Sequence, residues 1–180
     1  MFPLAMKDGK VAYEVPFGKL RVGQDEMPGA AGERYNVENK LQHPRGIGNW
    51  LGAYDQKFGV TLSSSVAVAD YIDPTDNAVD YPVLQPILLA SRRSCHEAGN
   101  EFIQPGDHFY HFSFTSDKTI DEVFGQSANE PLLSVYRPCK SEKAILSTSY
   151  SFVKSDNPNV VITTIKKCED DESIIVRMYN

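Results

Sequence analysis

Apolar residues return at every second position along most of this chain. That period is the strongest constraint on its fold, because a strand repeats a face every second residue and a helix about every 3.6. In "KVAYEVPFG", Val11, Tyr13, Val15 and Phe17 share one face, and Ala12 and Glu14 share the other. Gly18 closes the run. Pro16 has no N–H to give to a ladder, which points to a sheet edge or a bulge. "KFGVTLSSSVAV" repeats the pattern with Phe58, Val60, Leu62 and Ser64 in phase, and "PVLQPILLASR" is a third run, interrupted by Pro86. In "DHFYHFSFTS", Tyr110, Phe112 and Phe114 alternate with His111 and Ser113. "KAILSTSYSFVKS" and the opening stretch supply further strands.

The last residues, "NPNVVITTIKKCEDDESIIVRMYN", hold a pair of strands. Val160, Ile162 and Thr164 alternate with Val161, Thr163 and Ile165; Ile174, Val176 and Met178 alternate with Ile175, Arg177 and Tyr179. Both faces of each strand carry apolar residues, which suits strands covered on two sides. "CEDDE" is short enough for a hairpin turn. The alternative is one helix through "TTIKKCEDDESIIV", and the β-branched residues at both ends oppose it. A helix is expected at "TIDEVFGQSA", with Thr119 as N-cap and Glu122 as its capping-box partner. "RVGQDEMPGAAGERYN" and "YIDPTDNAVDYP" read as turn-rich connections. The expectation is an all-β fold, an antiparallel β-sandwich with at most one or two short helices.

Bulk properties narrow the function classes. With 180 residues, 41% of them hydrophobic, the chain can bury a core in one domain or a little more. A net charge of -6 argues against nucleic acid as the main partner, because phosphate binding needs clustered positive charge. Cys95, Cys139 and Cys168 are odd in number and far apart, and read as free thiols. "MFPLAMKDGK" lacks the h-region of a signal peptide, and the apolar run at "PILLA" is too short to span a bilayer. The chain is therefore expected to be soluble and without a membrane partner, with its compartment left open.

Chemistry-bearing residues are scattered. His108 and His111 stand three apart, which on a strand sends them to opposite faces, and "CHEAGNE" at Cys95 and His96 lacks the H-E-x-x-H spacing. No metal site is expected in this chain. "RGIGNWLG" carries Gly46, Gly48 and Gly52, one place away from a dinucleotide-binding pattern, and reads as a tight loop that can face a ligand. Trp50 within it is either a core anchor or a platform for a sugar ring. Arg92 and Arg93 follow a strand end and either clamp a substrate or a neighbouring domain, or form ordinary surface ion pairs. Trp50, Arg92 and Arg93 are the candidate substrate-binding residues. Asp70, Asp73, Asp76 and Asp80 lie in a turn region and are given no acid–base role.

Taken in order, "FPLAMKDGKVAYEVPFG", "GNWLGAYDQKFGVTLSSS", "PILLASRRS", "GDHFYHFSFTS", "NEPLL" and the terminal stretch resemble the C-terminal β-rich region of glycoside hydrolase family 38 α-mannosidases. The terminal pattern N-V-V-x-T-x-x-K-K-x-E-D-D, followed by I-V-R-x-Y-N, is the most specific part, and "YEVPFG" comes next. Residues 70–82 and "CHEAGNEFIQPG" match less well. The resemblance implies a galactose-mutarotase-like sandwich in a retaining α-mannosidase whose zinc and aspartate nucleophile belong to a separate catalytic domain. No residue here matches those motifs, so no catalytic residue is carried over and the chain alone is expected to be inactive. Residues 1–137 would form the large sandwich segment, and 138–180 terminal strands packing on it. The sandwich would be incomplete at both ends, with the catalytic domain or a second copy of the chain as partner. The alternative is a stand-alone carbohydrate-binding β-sandwich module.

Overall fold

A hairpin opens the main sheet. In the computed structural model, which describes residues 1–27, 45–71, 81–89, 92–93, 101–102, 104–130, 132–136 and 146–180, strand β2 (Lys10–Val15) turns back into β3 (Gly18–Arg21). Val15 pairs with Gly18, which leaves Pro16 and Phe17 as a two-residue turn. Proline presets the first turn position, and Phe17 takes the positive φ of 66° that the second requires. Pro16 thus marks a turn, and β2 is an interior strand. Phe17 lies outside the strand, mostly exposed.

Around this hairpin, β5 (Trp50–Tyr54), β6 (Gly59–Ser64) and β11 (Phe112–Asp117) complete a five-stranded antiparallel sheet in the order β11-β6-β5-β2-β3. A second antiparallel sheet has the order β1-β8-β7-β4, from β1 (Phe2–Pro3), β4 (Arg45–Gly46), β7 (Val68–Tyr71) and β8 (Val83–Pro86). Val11, Leu51 and Leu62 from the first sheet and Ala69 and Leu84 from the second share one buried cluster. The fold is therefore an all-β sandwich, as its period-two sequence requires. Two short strands, β9 (Arg92–Arg93) and β10 (Glu101–Phe102), pair separately.

The five-stranded sheet is covered on its other face as well. Helix α1 (Glu122–Ser127) lies over β5 and β6, where Thr61 and Ser63 are buried although their side chains are polar. Ser63 Oγ donates to Gly125 O at 2.9 Å, and Asp121 N–H donates to Thr61 Oγ1 at 2.7 Å. The helix N-cap is Asp121, whose Oδ1 accepts from Phe124 N–H at 2.8 Å, and not Thr119 as expected. Thr119 is taken up by the close approach of its backbone to Gly59, so the helix starts two residues later.

The chain divides into two compact units, Met1–Leu132 and Leu133–Asn180, where the sequence reading drew the line at 137/138. In the second unit β12 (Val161–Lys167) and β13 (Ile174–Tyr179) form an antiparallel hairpin, with a bulge between Ile162 and Thr164. The single-helix alternative is excluded. Its two strands were expected to be covered on both sides; instead Ile165, Ile174, Ile175, Val176 and Met178 are all exposed. The strand expected at "KAILSTSYSFVKS" does not form over its described part, 146–155. There Ser147 Oγ bonds Ser149 O, and Ser151 Oγ bonds Val153 O, so hydroxyls compete locally with a ladder. Among the described residues no helix is long and apolar enough to cross a membrane.

Candidate functional site

Three clusters in the first unit combine polar chemistry with defined geometry. The first is the glycine loop and what packs on it. Trp50 opens β5 on the helix-covered face and is 1% exposed. Gly125 of α1 lies against it so closely that a Cβ there would be 2.5 Å from Trp50 Cγ. An indole enclosed in this way has no open face for a sugar ring; Trp50 is a core anchor. Its Nε1 is buried without a hydrogen-bond partner among the described residues.

Gly48 faces another part of the protein and not a ligand. A Cβ there would lie 2.5 Å from Glu14 Oε2. Glu14 is buried, and its carboxylate accepts from Asn49 N–H and, at 2.8 Å, from Gln126 Nε2. Gly48 N–H also donates to Glu14 O at 2.8 Å. Asn129 Nδ2 reaches Asn49 O at 3.0 Å and Ser64 O at 2.7 Å. This carboxylate clasps the loop after β4 to β2 and α1 through the neutral donors Asn49 N–H and Gln126 Nε2. Such an arrangement holds parts together; it offers no nucleophile.

The second cluster is Tyr13, Glu26 and Arg45. Tyr13 Oη donates to Glu26 Oε1 at 2.8 Å, Arg45 Nη2 donates to Glu26 Oε2 at 3.1 Å, and Arg45 Nε also bonds Oε1. Burial pushes the Tyr13 phenol up to about 12, and the neighbouring Glu26 carboxylate adds to the rise. Burial also pushes Glu26 up, but its bonds from Arg45, Tyr13 and Gly23 N–H outweigh this and hold it below its usual value. A phenol with a raised folded-state pKa contributes full stability below its ordinary 10.0, and that contribution is lost as pH rises through about 12. Alkaline titration followed by phenolate absorbance should show one late-ionising tyrosine that Tyr13→Phe removes. A titration with no late component, identical in wild type and variant, would refute this.

The third is an open cleft of about 620 Å³ where the loop between β1 and β2 meets the turn between β5 and β6. Lys7, Asp8 and Lys10 line it from one side, and Tyr54, Asp55 and Lys57 from the other. Asp8 adopts a positive φ of 57°. Asp55 Oδ1 accepts from Lys57 N–H at 2.6 Å and Phe58 N–H at 2.9 Å, and these bonds hold its carboxyl below the usual range. The sequence reading missed this cleft. Its two charged loops meet only because Lys10 pairs with Tyr54 across β2 and β5, and that register carries no local sequence signal.

The residues singled out from sequence lie on several elements. Arg92 and Arg93 have their backbones in β9, opposite Phe102 and Glu101, and their side chains lie outside the described residues. Trp50 belongs to the five-stranded sheet, and both arginines to the two-stranded β9–β10 sheet. Asp70 pairs with Gln85 between β7 and β8. Asp73, Asp76, Asp80, Cys95, His96 and Cys139 lie outside the described residues. His108 Nε2 bonds Gln104 O at 3.0 Å, and His111 Nε2 bonds Ser113 Oγ at 3.3 Å. Among the described residues no group of three His, Cys, Asp or Glu side chains could hold a metal ion.

In the second unit, the hairpin turn is closed by Cys168 N–H donating to Ser173 O at 2.8 Å. Lys166 pairs with Glu169 at 2.8 Å and Lys167 with Glu172 at 2.7 Å. These charges stay in water at the turn, while both faces of the strands behind it carry apolar side chains.

Comparison with known proteins adds one finding, on this hairpin. No curated protein and no solved structure matches the chain. Residues 159–180, which span β12, the turn and β13, match the family model of the glycosyl hydrolases family 38 C-terminal beta sandwich domain. The β12–β13 hairpin carries the signature of that domain, on the stretch where the sequence resemblance is most specific.

Proposed function

We propose that this chain is a non-catalytic β-sandwich segment of a family 38-like α-mannosidase, which supports the catalytic domain and lends a loop to its sugar pocket. The observation that carries this reading is the terminal hairpin. It matches the family's C-terminal sandwich domain, and it exposes apolar side chains on strands that, among the described residues, have no third neighbour in their sheet. Strands of this composition gain stability by packing against a further apolar surface. The catalytic domain of the parent enzyme is the surface this reading assigns, with a second copy of the chain as the other candidate.

The zinc implied by the family finds no ligand set among the described residues, and no step of glycoside cleavage is assigned to them. In this reading the chemistry belongs to the catalytic domain.

Two measurements test the proposal. The purified 180-residue chain is expected to release no aryl alcohol from an aryl α-mannoside, with or without added zinc; turnover above the blank would overturn the reading. In sedimentation, the chain is expected to associate with a family 38 catalytic domain or with itself, and Ile174→Lys with Val176→Lys should abolish that association. A chain that remains monomeric and binds no catalytic domain would overturn the supporting role.

A further inference from the structure

We propose that the cleft between the β1–β2 loop and the β5–β6 turn binds a phosphate monoester, with a hexose phosphate as the ligand that suits its walls. This does not depend on the family reading, because the cleft lies in the first unit and the family match lies in the second.

The argument begins with charge. The chain carries a net charge of -6, yet three ammonium groups, on Lys7, Lys10 and Lys57, line this one cleft against two carboxylates. Among the described residues, none of the three lysines has a carboxylate within ion-pair distance. Asp8 and Asp55 offset part of this charge, and three ammonium groups against two carboxylates leave the cleft with one positive charge in excess. Unpaired like charges around a concavity raise the local concentration of a counter-anion. Lysine binds phosphate as a point charge with three donors, and it needs no forked geometry to do so.

Size and walls narrow the ligand further. A volume of about 620 Å³ is in the range of small-molecule sites and far exceeds what a bare phosphate fills. Tyr54, half-buried, gives the cleft an aromatic side on which the apolar face of a sugar ring can rest. Asp8 supplies an acceptor for sugar hydroxyls beside the lysines. Anion, ring and hydroxyls together make a hexose phosphate.

The test is a titration of the full 180-residue chain with hexose 6-phosphate, followed by amide chemical shifts at low ionic strength. Saturable shifts are expected at the cleft residues, with a Kd on the order of 1 mM. Lys10→Gln and Lys57→Gln should each weaken binding about tenfold, roughly the loss of one charge-assisted contact, and the double variant by more than either. Lys154→Gln, which removes a lysine from the other compact unit, should leave it unchanged. Inorganic phosphate should compete: weaker binding than the hexose phosphate assigns the ring a share of the affinity, and equal binding assigns the cleft to phosphate alone. No saturation, equal binding of an uncharged hexose, or equal weakening by Lys154→Gln would overturn the proposal. Native amide dispersion in the double variant distinguishes lost binding from lost folding.

Discussion

Gly59→Ala is expected to destabilise the first unit by about 3 kcal/mol, the upper part of the range for forcing an extra methyl into a packed interior. Gly59 opens β6 and is buried. A Cβ there would meet the Thr119 carbonyl carbon, with Ile120 N at 2.6 Å and Thr119 O at 2.7 Å. All three are backbone atoms, so no side chain can rotate away. Relief requires the segment leading into α1 to move, and that segment carries Ile120, which packs over Gly52, and Asp121, which caps the helix. Gly59 is not in the left-handed region, so the substitution tests steric room alone and not backbone strain. Trp50 is the single tryptophan and lies under α1, so its emission reports this movement directly. A urea midpoint in the variant equal to wild type would show that the loop yields at no cost.

The fold was legible where one strand face alternates with another, and it became illegible where both faces are buried. Phe58, Val60 and Leu62 point to the shared core as their phase requires. Thr61 and Ser63, on the opposite phase, are polar yet lie buried beneath α1, because Gly125 lets the helix approach the sheet. A polar residue whose hydroxyl finds a partner only in three dimensions has no sequence signature of burial. The same holds for Glu14, whose acceptors are used by Asn49 and Gln126, distant in sequence.

"RGIGNWLG" read as a tight loop, but Gly46 lies in β4 and Trp50 and Gly52 in β5, with only residues 47–49 between the strands, and what its glycines face was not legible. Gly48 makes room for a carboxylate of β2, and Gly52 makes room for Val60 O and Ile120. A glycine pattern reports close approach and does not say whether a ligand or a neighbouring strand approaches. For the cleft, the informative event is the antiparallel register of β2 and β5, which sets Lys10 opposite Tyr54. Registers follow from turn geometry and long-range pairing, so charges brought together by them stay hidden in the linear sequence.

The hairpin is the converse case. Its pattern was specific enough to suggest a family from the residues alone, and the family match falls on the same stretch. Its apolar residues implied two covered faces, and the structure shows two strands with Ile165, Ile174, Ile175, Val176 and Met178 exposed. The difference is a physical one: alternation records how a strand is meant to be packed, and a hairpin by itself supplies only one neighbour per strand. The proposed partner surface accounts for that remainder.

Leu62→Ala is expected to cost about 3–4 kcal/mol, within the range for emptying a leucine site in a core that relaxes only in part. Leu62 is 1% exposed and lies on β6, between β11 and β5, so backbone ladders on both sides limit collapse into the void. It stands opposite Leu51, itself 2% exposed, in the β5–β6 register. The cavities of Leu51→Ala and Leu62→Ala would merge, and the second truncation then removes contacts the first has already loosened. The double variant should therefore lose less than the sum of the two singles, by roughly 0.5–1 kcal/mol. Urea unfolding read through Trp50, on the opposite face of the same sheet, measures all four proteins with one probe. Strict additivity would mean that the two leucines occupy separate pockets, and it would refute the single shared core between the two sheets.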